Sequence, residues 1–397
     1  MISAPLEATE PPPPLWIALG LSLGPAVSNG LGRFAYALIL PAMRSDLRWS
    51  YTQAGWVNTI NALGYLAGGL LSLRLVPRTG PHRVFRVGMI STALALIGSG
   101  LVRDYGALLF LRFVAGVGGA MAFIGGGALV AELYAHHPRR ASSGIAIYFG
   151  GGGAGIVASG LPLPWLFELR GASAWPLAWL GTGALAGLMC LPAFLAARRI
   201  PRVVMSGPPV RWSKRPLLPS LSAYFGFALG SIVYMTFIIA WMRDRGAGAR
   251  DISLVWGLLG AAIMLSPLPW RVALARWPGG LPLSASMAAC AAGAAIPLLS
   301  TSLGAMLASA TLFGGAFFIP PAAVTALARK ALPREAWGAG LATYTVVFAA
   351  GQPVGPILAG LVADATGTLF AGLFTSVVVL VVGSIVAALQ REHTRDL

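Results

Sequence analysis

The sequence predicts an all-α membrane protein of about 12 transmembrane helices, arranged as two pseudo-symmetric six-helix bundles. Three observations predict it. Of 397 residues, 57% are hydrophobic and only 10% are charged, a balance that leaves too little polar surface for a separate soluble domain. Apolar stretches long enough to cross a bilayer, about 20 residues each, recur along nearly the whole chain with short polar breaks. A shift of 196 residues carries Gly118, Gly119 and Ala120 onto Gly314, Gly315 and Ala316. The same shift carries Gly144, Ala146, Tyr148 and Gly155 onto Gly340, Ala342, Tyr344 and Gly351, as a duplicated half would.

Residues 1–14 contain Glu7, Glu10 and the run Pro11 to Pro14 but no Lys or Arg. They lack the basic region of a signal peptide and read as a disordered N-terminal tail. The first half is expected over residues 15–197, with helices at Leu15 to Met43, Tyr51 to Leu75, Val84 to Leu101, Tyr105 to Leu133, Ala141 to Phe167 and Ala174 to Ala197. Residues 198–216 are rich in Arg and Pro and read as a basic linker. The second half, 217–389, carries helices at Leu217 to Met242, Ile252 to Val272, Leu281 to Leu299, Ala305 to Ala328, Trp337 to Ala363 and Leu369 to Leu389. Residues 390–397 form a short tail. Kinks are expected near Pro267 and Pro269, at Pro320 with Pro321, and at Pro353 with Pro356.

The net charge of +16 would suggest nucleic acid in a soluble chain. Here the basic residues sit in the breaks between apolar runs, so no nucleic-acid partner is expected. Arg74, Arg78, Arg83, Arg86, Arg139, Arg140 and the linker arginines crowd one side, whereas only Arg44, Arg48, Arg103, Arg170, Arg243, Arg245 and Arg250 fall on the other. The positive-inside rule then puts both termini in the cytoplasm.

No cofactor or metal is expected. Cys190 and Cys290 each lie inside an apolar stretch and read as packing residues, not as thiolate ligands. Glu132 and His136 have i,i+4 spacing, but two ligands at a helix end make an incomplete metal site. His136 and His137 there read as a hydrated terminus favoured by the helix dipole. The glycine clusters at 125–127 and 150–153 are followed by no Gly-Lys-Ser/Thr, so they read as close-packing surfaces and not phosphate loops.

Within the helices, the loop after the second has Arg78, Gly80 and Arg83. The fourth helix carries Leu108, Arg112, Gly116 and Gly118, and the fifth carries Gly151, Gly155 and Gly160. The first holds Gly30, Leu31, Gly32, Arg33, Phe34, Ala35 and Tyr36, closing with Pro41. Taken together, these residues resemble the major facilitator superfamily, and the first-helix run resembles its bacterial YbfB/YjiJ-like branch. The resemblance implies a transporter whose first and fourth helices line a central cavity and whose basic loop after the second helix acts in gating. Three departures stand out. Pro77 occupies the place of the loop's usual Asp and Leu73 that of its first Gly, while Ile156 replaces the proline of the antiporter-like glycine pattern.

An arginine inside hydrocarbon costs at least ~2.5 kcal/mol, so it persists only where something offsets it. Arg33 and Arg112 fit that description, at comparable depths in the outer half of their helices. Every acidic residue lies in a terminus, a loop or near a helix end. The two cations therefore lack a buried anion, and a substrate carboxylate would supply one, since a planar guanidinium binds carboxylate oxygens bidentately. The competing reading has Arg33 snorkelling outward and Arg112 bonding backbone carbonyls. Asn61, Tyr36, Tyr148 and Tyr344 are further candidates for the cavity, with Asn58 expected to share a face with Asn61. Asn29, Tyr234 and Gln352 are additional polar residues inside helices.

The functional expectation is a secondary active or facilitative transporter of a small organic anion by alternating access, not an enzyme. It would work as a monomer in a bacterial inner (plasma) membrane, with proton coupling left open. The alternative is efflux of a lipophilic drug or metabolite. A membrane-embedded sensor or enzyme is a remote alternative, for which no catalytic constellation or signalling domain is visible.

Overall fold

The structure, a computed structural model, describes residues 13–135, 138–201, 215–332 and 337–392. Most of the expected tail 1–14, the greater part of the linker 198–216 and residues 393–397 therefore lie outside the described residues, as do His136 and His137.

All regular elements among the described residues are helical, and they fall into twelve units. The first half contains α1 (Leu15–Leu47), α2 (Tyr51–Thr79), α3 (Pro81–Ser99), α4 (Tyr105–Leu133), α5 (Pro138–Gly160, continued by Pro162–Arg170) and α6 (Trp175–Ala197). The second contains α7 (Leu218–Asp244), α8 (Ala249–Leu265 and Pro267–Arg276), α9 (Leu281–Leu299), α10 (Leu303–Phe317 and Ile319–Ala331), α11 (Trp337–Gly351 and Val354–Thr366) and α12 (Leu369–Ala388). Among the described residues ten helices are long and apolar enough to cross a membrane, and the bent α8 makes an eleventh. The twelfth is α3, whose first turns carry His82, Arg83 and Arg86.

Local chemistry sets the ends. Ser50 and Gln53 form a reciprocal capping box at the start of α2, while Asp104, Ser302 and Thr368 cap α4, α10 and α12. Proline lacks an N–H and clashes with the preceding turn, and the expected kinks appear where it does. The pair in α8 is bent by 40° at Ser266, α10 breaks at Phe318 ahead of Pro320 and Pro321, and α11 breaks at Gln352 and Pro353. One feature departs from expectation. Residues Ala26–Phe34 of α1 are a π-helix, a wider turn that is frequent at functional sites, and they contain Arg33.

Within the first half α4 packs on α2 and α3, and α1 packs on α5 and α6. Within the second, α7 packs on α12 and α11, and α9 on α10 and α12. The halves meet where α2 contacts α11, α5 contacts α8 and α1 contacts α7. Pseudo-symmetry holds down to single glycines. A Cβ on Gly155 of α5 would strike Ala26 and Gly30 of α1, and one on Gly351 of α11 would strike Phe225 and Ala228 of α7. The outward face is apolar, with Leu188, Leu191 and Leu195 exposed along α6 and Val378, Val382 and Ile385 along α12. Such a face suits lipid and would aggregate in water.

Two ends of the bundle are distinguishable. One carries the α1–α2, α7–α8 and α11–α12 connections and is called here the Asp46 end. The other carries the joint between the halves and is called the linker end.

Candidate functional site

The central candidate is Arg33, which is 4% exposed. It projects from the π-helical part of α1 toward the other half, where Nη1 donates to Gln352 Oε1 at 2.8 Å. Gln352 lies in the break of α11, so a proline-induced interruption puts a neutral acceptor opposite the guanidinium. Tyr65 of α2 flanks the cation, with the guanidinium carbon 5.5 Å from its ring centre. Among the described residues Nε and Nη2 of Arg33 have no hydrogen-bond partner. An unpartnered buried donor is costly, more so when charged. Among the described residues no carboxylate lies within the helical interior: Asp46, Asp104, Glu132, Glu168, Asp244, Asp251 and Asp364 all sit at or near helix ends.

Beside Arg33 the rings of four helices adjoin one another. Tyr65 lies 6.4 Å from Phe123, Phe123 5.5 Å from Phe149, and Phe149 6.5 Å from Phe318 of the second half. Phe34, next to Arg33, meets Phe317 edge-on at 5.7 Å. The region between the halves thus combines one incompletely satisfied cation with aromatic surface.

Arg112 is placed differently, although its depth is similar. It is 1% exposed and lies inside the first half, where Nη2 donates to the carbonyl of Gly32 at 2.6 Å. Its guanidinium carbon is 4.7 Å from the ring of Trp179 and 5.8 Å from that of Tyr36, two rings that stack on each other. Among the described residues Nε and Nη1 remain without a partner. Because Gly32 precedes Arg33, Arg112 braces the backbone from which Arg33 projects. Neither arginine snorkels outward.

The other predicted residues take up bonds within their own halves. Tyr36 donates to Ala54 O at 2.8 Å, Asn61 Nδ2 to Arg112 O at 3.0 Å and Tyr148 to Phe123 O at 2.5 Å, while Tyr344 pairs with Ser220 at 2.5 Å. Asn58 and Asn61 do not share a space as their spacing suggested. Asn58 Nδ2 donates across the interface to Thr236 Oγ1 at 2.5 Å and Asn61 turns back to α4, since three residues on a helix still separate side chains by about 60°. The expected loop after α2 is reduced to Gly80, whose φ of 81° turns the chain, while Arg78 in the last turn of α2 and Arg83 in the first turn of α3 are exposed and form no ion pair among the described residues. The adjoining His82 is buried and its Nε2 lies 3.1 Å from both Ala197 O and Ile200 O, pinning the end of α6. Among the described residues no three His, Cys, Asp or Glu side chains converge as a metal site would require.

Residues not singled out from the sequence close the Asp46 end. Asp364 of α11 accepts from the backbone N–H groups of Tyr51 at 2.9 Å and Thr52 at 2.8 Å, at the start of α2. Glu168 of α5 accepts from Ala249 N at 2.6 Å, at the start of α8. Tyr51 also donates to Asp244 at 2.5 Å, and Arg44 lies 3.9 Å from the same carboxylate. In sequence these acids stand only as residues in loops or near helix ends. The repeat shift would have exposed them, because Glu168 maps onto Asp364.

The comparisons agree with this architecture. The family described as "Uncharacterised MFS-type transporter YbfB" matches residues 25–388. A bacterial homolog of the human lysosomal transporter Spinster, solved inward-facing and occupied, aligns with a TM-score of 0.74 at 15% identity, covering 94% of this chain and 96% of that one. The nucleoside transporter NupG aligns with a TM-score of 0.69 at 12% identity, over 94% and 98% of the two chains. Among curated proteins, human synaptic vesicle glycoprotein 2B is 31% identical over 104 residues, 26% of this chain and 15% of that protein. The puromycin resistance protein pur8 of Streptomyces alboniger is 30% identical over 167 residues, 40% of this chain and 33% of the relative. The matched stretches thus span at most a third of those curated relatives. The chain is an integral membrane protein and belongs to the YbfB family of MFS-type transporters, which act on small molecules and are not enzymes.

Proposed function

We propose that this protein carries a small organic anion across a bacterial inner membrane by alternating access, with the linker end and both termini in the cytoplasm. The observation that carries the reading is the state of Arg33. It is buried where the two halves meet, bonded to a neutral amide and left with two unpaired donors, with no carboxylate in the helical interior among the described residues. A carboxylate or similar anion would satisfy both donors at once, since the guanidinium edge matches its oxygens. Arg112 adds positive potential from behind and holds the π-helical segment in place. The rings of Tyr65, Phe123 and Phe149 offer an apolar wall for the body of such a solute.

A second reading is efflux of a lipophilic compound. It is favoured by the same aromatic surface and by the likeness to a puromycin resistance protein. The readings separate on charge, because a lipophilic cation gains nothing from a buried arginine.

The test is thermal stabilisation of purified protein by a panel of organic anions, cations and neutral solutes. A ligand at 100 times its dissociation constant stabilises by about 2.7 kcal/mol, so the panel is run at high concentration. Stabilisation by anions that disappears in Arg33→Gln supports anion transport. Stabilisation by cations or neutral lipophiles alone, unchanged in Arg33→Gln, supports efflux instead.

A further inference from the structure

We propose that Glu168 and Asp364 form a duplicated latch that holds the Asp46 end of the transporter shut, which makes them positioning residues for the conformational cycle. The proposal rests on the alternating-access reading but not on the identity of the solute.

A helix begins with N–H groups that have no partner inside it, and their aligned dipoles give that end a partial positive charge. At the start of α2 these donors are satisfied from two sources. Ser50 Oγ accepts from Gln53 N at 3.1 Å within the helix. The first two donors, on Tyr51 and Thr52, are taken by Asp364 of the opposite half. At the start of α8 the capping position is Gly248, which has no side chain to offer. Glu168 supplies the acceptor to Ala249 N, again from the opposite half.

The two caps are related by the internal repeat. Glu168 stands near the end of α5 and Asp364 near the end of α11, its counterpart, and the shift that superposes the tyrosines of these helices also superposes the acids. Their recipients, α2 and α8, are counterparts too. Each half therefore extends a carboxylate to the helix start of the other, although one acid is Glu and the other Asp.

Two further observations mark this end as a closed contact. A Cβ on Gly360, one turn before Asp364, would lie 2.7 Å from Tyr51 O, so α11 and α2 approach at a point where glycine is required. Asp244 of α7 receives the Tyr51 hydroxyl and faces Arg44 of α1, a second bridge between halves. Arg243 at the end of α7 interacts electrostatically with Glu168, and Arg250 and Asp251 stand beside Ala249 in the first turn of α8. None of the latch bonds joins helices of the same half. Opening this end must break all of them, and breaking them removes nothing from the interior of either half. Charge matters to the hold, because an ionised acceptor makes the stronger bond and interacts with the helix dipole while a neutral amide does so weakly.

The experiment is pulsed EPR distance measurement on full-length protein in lipid nanodiscs, in a background where Cys190 and Cys290 are replaced by Ser. One label pair sits at Ser45 and Thr301, exposed positions of opposite halves at the Asp46 end, and a second at Thr79 and Arg276 near the linker end. For Glu168→Gln with Asp364→Asn, the ratio of open to closed distances at the Asp46 end is expected to rise about tenfold, which corresponds to about 1.4 kcal/mol. The linker-end distance is expected to shorten, and Asp364→Glu, which keeps the charge, is expected to stay near the parent. Unchanged distances in a folded double variant would overturn the latch. So would broadening at both ends together with a lowered melting temperature, the mark of a merely structural role. Opening at the Asp46 end with no change at the linker end would support the latch while contradicting the rocking of two halves.

Discussion

Arg33 donates to Gln352 at 2.8 Å across 319 positions of sequence, and this bond joins the π-helical part of the first helix to the break in the eleventh. Both partners interrupt regular helix, and both lie where the halves must separate if the protein alternates. Gln352 satisfies one of the guanidinium nitrogens and neutralises none of its charge.

Supplying that charge from the chain should therefore silence the site. In Gln352→Glu the new carboxylate faces Arg33, and a buried pair with good geometry forms. The variant is expected to melt higher than the parent and to lose stabilisation by anions at least tenfold in affinity. Thermal shift with and without anion checks both. Unimpaired anion binding would mean that the solute does not use Arg33.

Arg112 should behave as a brace instead of a contact. Arg112→Ala removes a charge-assisted bond to Gly32 O and the cation packed against the rings of Tyr36 and Trp179. A hydrogen bond to a charged group contributes about 1.5–3 kcal/mol, so a clear fall in melting temperature is expected. Loss of anion affinity in Arg112→Ala should be smaller than in Arg33→Gln, read on the same titration. The reverse order would exchange the two roles.

Backbone approach at the Asp46 end gives an independent test of closure. Gly360→Val places a branched side chain against Tyr51 and Thr52, and overpacking of this kind costs about 1–3 kcal/mol. Because the clash lies between halves, the strain is relieved by opening. Labelled at Ser45 and Thr301, this variant is expected to show the longer distance with little loss of secondary structure by circular dichroism.

Much of the fold was legible because hydrocarbon imposes length and apolarity on every span, and the expected ranges each coincide with one helical unit. The breaks at Pro267, Pro320 and Pro353 were equally legible, since proline acts locally. The π-helical stretch 26–34 was not, because nothing in Ala26 to Phe34 distinguishes a wide turn from an ordinary one before its neighbours are placed. Depth told Arg33 and Arg112 from surface arginines but not from each other. Depth is a coordinate along the helix, and their difference is one of direction around it, toward α11 for Arg33 and toward α6 for Arg112. Asn58 and Asn61 diverge for the same reason. The sequence places Asp364 and Glu168 only near helix ends, because the N–H groups they accept from belong to the opposite half, and pairing between halves is invisible in either half alone.

The most direct measurement is flux. The anion that stabilises the protein most is loaded into proteoliposomes containing parent, Arg33→Gln or Arg198→Gln protein, and exchange with external radiolabelled anion is followed. The account predicts saturable exchange in the parent and in Arg198→Gln, whose arginine is exposed at the end of α6, and loss of at least tenfold in Arg33→Gln. Exchange by Arg33→Gln at the parent rate would contradict it.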